Sequence, residues 1–157
     1  MNYIEILNMI RETASAQTGV YSVYDGNAYD NWNSAEVQYG SVNIGLQNVT
    51  YNGNLVTYTF VLYYADRLLQ NDKNVNNIYN DGVRILQSTV NAITSDGETF
   101  VDSTDILVYT PFKQKFMDYL AGVYVTVDLT CESELGRCDI DDFDEENNDD
   151  ENTNIEP

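Results

Sequence analysis

The chain has no histidine, two cysteines and only seven basic residues among its 157. It therefore lacks the residue type that serves most often as general base and metal ligand. Cys131 and Cys138 are too few for a disulfide framework and, without histidine, too few for a structural zinc site. We expect both to be free thiols in a reducing cytoplasm. No apolar run approaches membrane-spanning length, and we expect no signal peptide.

Against seven basic residues stand 26 acidic ones, and the net charge is −19. Proteins that hold nucleic acid by its phosphates need a basic surface, and so do proteins that adsorb to anionic membranes, so both classes are disfavoured. Ten of the acidic residues lie in residues 139–157, and the remainder of the chain still carries −9. We predict one domain, residues 1–131, and an acidic, disordered tail, residues 132–157.

The tail is a candidate binding surface for a basic partner, because a block of like charges often acts as an interaction segment. The acidic residues that we single out there are Asp139, Asp141, Asp142, Asp144, Glu145 and Glu146.

No residue pattern points to catalysis or to a specific ligand. The aspartates of the predicted loops, such as Asp66 and Asp118, stand alone, where they serve as caps and solvated charges. A calcium-binding loop started at Asp139 fails at Phe143, its fifth position, and loops started at Asp72 or Asp142 fail at the sixth and twelfth positions. No glycine pattern for phosphate or dinucleotides occurs. We therefore predict that the protein is not an enzyme and has no cofactor and no specific metal site.

The chain is organised around residues 40–93, which read as two long strands, a turn and a helix. Asn52-Gly53 lies between the alternating runs Ser41–Tyr51 and Asn54–Tyr64, and Asn-Gly is a strong signal for a two-residue hairpin turn. With that turn, Ile44 lies opposite Val61, and the apolar residues of the two strands point to opposite faces. Either a bulge near Gly45 corrects the register, or both faces of the sheet are covered, one of them by a neighbouring subunit.

The remaining pattern predicts an α+β fold. It has the form of a two-layer sandwich, a mainly antiparallel sheet with the long β-hairpin packed by two helices. Two groups of aromatic residues have two interpretations. Trp32 and Tyr29 lie in a polar loop and either pack back on the domain or face a partner, and the 13 tyrosines either fill the core or form a protein–protein interface. The other predicted elements are helices at 2–16 and 74–93 and strands at 20–24, at 106–109 (closed by Pro111) and at 123–129.

A run of motifs resembles one family. The second hairpin strand ends in Tyr64-Ala65-Asp66-Arg67-Leu68, a short loop reaches Asn74, a helix carries Ile78, Ile85 and Leu86, and a later strand begins at Ala121-Gly122-Val123. This order resembles the tail-terminator-like ring proteins, head–tail neck proteins of tailed bacteriophages, and most of all those of crAss-like phages. The likeness covers residues 40–129 and the N-terminal helix. Family members often have proline where Gly40 follows Tyr39, and the acidic tail lies outside the shared pattern.

The resemblance implies a structural virion protein that forms a ring of roughly six or twelve identical subunits. Such a ring would join the portal or connector to the tail, contact the neighbouring neck rings, and let DNA pass through its lumen without specific binding. The expected location is the virion neck, after synthesis in the host bacterial cytoplasm. The candidate subunit-interface residues are Tyr58, Tyr64, Asp66 and Arg67.

Two alternatives remain at this point. Asp66 and Arg67 form either a local ion pair at a strand end or a pair between subunits. The whole protein could instead be an acidic adaptor or DNA mimic that binds a basic partner through its C-terminal tail.

Overall fold

A computed structural model describes residues 1–95, 97, 99 and 105–133. The fold is α+β: a five-stranded, mostly antiparallel sheet with helices packed on it. None of the helices in these residues is long and apolar enough to cross a membrane. In chain order the elements are α1 (Tyr3–Ser15), β1 (Ser22–Asp25), α2 (Ala28–Trp32), β2 (Ser41–Asn52), β3 (Leu55–Arg67), a 3-10 turn (Gln70–Asp72), α3 (Val75–Thr94), β4 (Thr110–Lys115) and β5 (Tyr119–Glu132).

The sheet has the strand order β1-β2-β3-β5-β4. Only the β1–β2 pair is parallel, and the other three pairs are antiparallel. The long helices α1 and α3 pack on one face and bury alternate residues of β3 and β5 in the main core, because successive side chains of a strand point to opposite faces. As predicted, the inward residues of β5 include Val123, Val125, Val127 and Leu129.

Both long helices form where the apolar periodicity predicts them. At the start of α1, the Asn2 side chain accepts a hydrogen bond from the Glu5 backbone N–H, and the Glu5 side chain accepts one from the Asn2 N–H. In α3, Gly82 faces the sheet, and a Cβ built on it would lie 2.9 Å from Cγ2 of Val123. The glycine therefore lets α3 approach β5 closely.

Of the two alternatives for the hairpin, the structure shows the bulge, between Leu46 and Asn48 rather than at Gly45, and the turn lies one residue later than predicted. Asn52 pairs with Leu55, so Gly53 and Asn54 form the turn, with a φ of 62° at Gly53. The register shifts between Leu46 and Asn48, which places Ile44 opposite Leu62 in the main core. Moving the turn by one residue shifts each partner by two and changes no face. Only the extra residue of the bulge returns the apolar residues to one face.

The strand predicted at 106–109 is wrong. These residues form no regular secondary structure, and β4 starts at Thr110 and contains Pro111. Proline is tolerated there because β4 is an edge strand of the described sheet. The first residue of the predicted tail, Glu132, still belongs to β5, and the chain is described to Ser133; the rest of the tail, with the acidic residues singled out from Asp139 to Glu146, lies outside the described residues.

Candidate interaction surface

Two of the four candidate interface residues lie inside the domain. Tyr64 is 2% exposed and Tyr58 is 6% exposed, and both belong to the main core. Tyr64 packs so closely against the preceding loop that a Cβ on Gly40 would lie 2.6 Å from its hydroxyl oxygen. Burial, the largest cause, raises the pKa of Tyr64 far above its ordinary value of 10.0. Little surface of either side chain is exposed for contact with another subunit.

Asp66 and Arg67 make different contacts from each other. The Arg67 guanidinium pairs with Asp118, at 3.1 Å between Nη2 and Oδ2, and lies over the Tyr39 ring at 5.0 Å from its centroid. The Arg67 backbone N–H donates to Asp66 Oδ1 at 2.7 Å. Burial is the main cause that raises the pKa of Asp66, and the nearby charge of Asp81 raises it further. The Arg67 side chain therefore has an ionic partner within the chain, but this partner is Asp118 and not the Asp66 of the predicted local pair; such an exposed pair is worth less than about 1 kcal/mol.

Asp66, Arg67 and Asn74 form hydrogen bonds that hold the loop between β3 and α3. Asn74 Nδ2 donates to the Arg67 carbonyl at 2.9 Å, and its Oδ1 accepts from the Leu69 N–H at 2.8 Å. Lys113 of β4 reaches the same loop and pairs with Asp72 at 3.0 Å. This spacing of residues, which carries part of the family resemblance, therefore fixes the connection between β3 and α3 against the sheet.

The second face of the sheet is covered only in part, by α2 and its flanking loop. Trp32 is fully buried, its indole N–H donates to Ser41 Oγ at 3.0 Å, and its ring stacks on Phe112 at 6.3 Å between centroids. Phe116 meets the same indole edge-on at 5.6 Å. Trp32 therefore packs back on the domain, which is one of the two interpretations of the loop aromatics, whereas Tyr29 is largely exposed.

An open groove of about 780 Å³ runs across this second face. Aromatic side chains, among them Tyr63 and Tyr124 with ring centroids 5.5 Å apart, line one end. The other end reaches the edge of β2 at the bulge, where Gly45, Leu46 and Gln47 line it. The groove is therefore continuous with a sheet edge.

That edge is free over most of its length. Of the twelve residues of β2, the first four pair with β1, which leaves eight, 45–52, with a strand neighbour on one side only among the described residues. Gly45 lies near the Gly26 carbonyl, but residues 46–52 are exposed, among them Leu46, Val49 and Tyr51. An exposed apolar edge offers unpaired backbone N–H and C=O groups to another strand.

Sequence reasoning did not identify this edge, although its signal was present. The predicted first strand, at 20–24, is about half as long as the strand beside it, so it cannot cover the whole edge. The sequence does not show which strands are neighbours. In the structure, the neighbour of β2 on this side is β1, which pairs with it in parallel.

Comparisons with known proteins add no family assignment. No protein-family model matches this chain, and no curated protein is significantly similar to it. Within the described residues, no group of three or more acidic or cysteine side chains is placed to hold a metal ion.

Proposed function

We propose that this protein is a structural virion protein of a tailed-bacteriophage neck. Identical copies form a ring that joins the portal or connector to the tail, contacts the adjacent neck rings and lines the DNA channel. The observation that carries the proposal is the half-covered sheet, in which residues 45–52 of β2 form a free apolar edge. Exposed edges of this kind pair readily with another chain, and natural monomers usually protect them.

The charge distribution supports the channel part of the proposal. Residues 1–138 carry a net charge of −9, and no charged residue occurs between Glu36 and Asp66. Residues 41–65 of the hairpin are therefore uncharged, although Asp128 and Glu132 of β5 lie opposite Thr59 and Leu55. A ring held together through uncharged hairpins can point its carboxylates at the lumen, where they repel the phosphate backbone and keep the duplex from sticking.

Two measurements test the proposal. Proteomic analysis of purified virus particles should find this chain, and electron microscopy of the neck should show it as a closed ring around the DNA. A chain that is missing from the particles, and that binds basic proteins as a monomer, would instead establish the acidic-adaptor alternative.

The lumen assignment has its own test. Charge reversal at several exposed acidic residues, for example Glu12→Lys, Asp30→Lys and Glu36→Lys together, should slow DNA ejection while rings still form, because a basic lumen attracts phosphates. A matched triple change at exposed uncharged residues, Asn8→Gln, Ser15→Ala and Gln38→Ala, should leave ejection unchanged. Normal ejection by the charge-reversed particles would remove the acidic lumen from the proposal and leave the ring intact.

A further inference from the structure

We propose that residues 105–109 of one copy add as a strand to the free edge of β2, residues 45–52, in the next copy. This inference rests on the proposed ring and names the contact that builds it. It joins two features of the described chain: residues 105–109, which have the composition of a strand but no strand partner, and residues 45–52 of β2, which have a strand neighbour on one side only.

The donor segment has the composition of a strand. Ile106-Leu-Val-Tyr109 is rich in β-branched and aromatic residues, which favour pleated sheets. Its side chains alternate, since Leu107 and Tyr109 pack against the main core while Ile106 and Val108 are 87% and 64% exposed. Within the described part of the chain, no strand pairs with it. The strong strand preference of these residues is therefore not satisfied within the single chain.

The acceptor fits such a segment in length and in chemistry. Eight residues of free edge exceed the five of the donor, and Leu46, Val49 and Tyr51 offer an apolar surface beside the bulge. The acceptor contains no charged residue, and Asp105 is the only charge of the donor. In a chain of net charge −19, this joint avoids the like-charge repulsion that most other contacts between copies would meet.

The positions of donor and acceptor favour a ring over a reciprocal pair. The donor leads directly into β4, which lies at one edge of the sheet, whereas the acceptor edge belongs to β2, on the opposite side of β3. Each copy therefore gives a strand on one side and receives a strand on the other. Contacts between two different surfaces run head to tail, and they close into a ring when the rotation between copies permits.

Disulfide trapping between two differently labelled proteins tests the contact. Full-length Ile106→Cys protein is mixed with ¹⁵N-labelled Leu46→Cys, Val49→Cys or Tyr51→Cys protein under mild oxidation. All carry Cys138→Ser, and the native Cys131 is 1% exposed. Mass spectrometry then separates mixed dimers from same-site dimers. We expect at least one acceptor position to give about tenfold more mixed than same-site dimer, because docking raises the local thiol concentration.

Leu69→Cys replaces Ile106→Cys in the control, since Leu69 is also exposed but lies outside both segments. The inference would be overturned if the yield of mixed dimers did not exceed the yield in this control at any of the three acceptor positions. It would also be overturned if the main product were a same-site dimer, such as one between two Val49→Cys chains. Circular dichroism spectra that match the unsubstituted protein establish that each variant is folded.

The inference and the proposed function fail separately. If the native protein forms rings in virus particles but the trapping is negative, the ring stands and this contact is wrong. If trapping is positive but particles lack the protein, the contact stands and the neck function is wrong.

Ile106→Asp with Val108→Asp should abolish oligomers measured by light scattering, whereas Leu69→Asp with Met117→Asp, which adds the same charge at exposed apolar sites, should not. Oligomers that survive the first pair of changes contradict the contact.

Discussion

The two ends of the sheet differ in how much of them the chain itself covers. At the base, where β1 and β4 widen the sheet to five strands, α1 and α3 cover one face and the Trp32 cluster covers the other. Towards the hairpin turn the sheet narrows to β2, β3 and β5; β3 and β5 keep a buried face there, at Val56 and Cys131, whereas β2 is exposed from Leu46 onwards. The base is built as a finished domain, whereas the hairpin end has the features of a surface that another chain completes.

Stability and assembly should depend on different ends of the sheet. Substitutions at the base should lower the free energy of unfolding because they create cavities or clashes in a packed interior. Substitutions at the hairpin end should leave the fold nearly unchanged and act on contacts between copies. The following predictions test this division, and the expected changes in unfolding free energy decrease from one to the next.

Trp32→Ala should have the largest effect. Its buried indole contacts Phe112 and Phe116 and donates to Ser41 Oγ, so truncation leaves a cavity and an unpaired hydroxyl. We expect a loss of about 4 kcal/mol, measured by urea unfolding followed by circular dichroism. Tyr29→Ala, in the same short helix but exposed, is the control and should cost less than about 1 kcal/mol. Equal losses for the two variants would show that the second face of the base is not a packed interior.

Gly122→Ala should follow, with a loss of about 3 kcal/mol. A Cβ at this position would lie 1.8 Å from the Tyr64 carbonyl oxygen and 2.8 Å from the Phe112 ring, so the β3–β5 pairing must shift. Gly45→Ala is the matched change at the edge of β2, where the nearest atom is 3.6 Å from the added Cβ, and it should cost less than about 1 kcal/mol. The same unfolding curves measure both variants, and a well-tolerated Gly122→Ala would contradict the close strand packing at the base.

The sequence predicted the local elements better than their arrangement. The alternation of Val123, Val125, Val127 and Leu129 and the stripe of α3 fix which face of each element is buried, so the fold class and the helices followed. The segment 106–109 shows the limit, because strand preference is a property of the residues whereas strand formation needs a free neighbour. The same holds for Tyr58 and Tyr64, since tyrosine suits both core and interface, and only the pairing of β3 with β2 and β5 placed them inside.

Tyr51→Asp should affect the fold little and assembly strongly. The side chain is 61% exposed near the hairpin turn, so we expect a loss of no more than about 1 kcal/mol in unfolding free energy. A carboxylate on the free edge should nevertheless prevent pairing with another strand, as charges on natural edge strands do. Light scattering measures the oligomer, and Tyr21→Asp, at an exposed site outside the free edge of β2, is the control. Intact oligomers with Tyr51→Asp would place assembly elsewhere than on this edge.

The smallest effect should come from Asp66→Asn at the base, and it should have the opposite sign. Burial, followed by the charge of Asp81, raises the pKa of Asp66 above its ordinary value of 3.8, so the ionised side chain weakens the folded state. This penalty is absent below pH 3.8, where the carboxyl is protonated in both states, grows as the pH rises from there to the folded-state pKa, and is constant above it. Asn can still accept the Arg67 backbone N–H. The variant should therefore unfold at slightly higher urea than the native protein at pH 7, and this difference should vanish below pH 3.8. A variant that is less stable at pH 7 would mean that the Asp66 charge stabilises the strand end, through the backbone N–H and the charge of Arg67, by more than burial costs it.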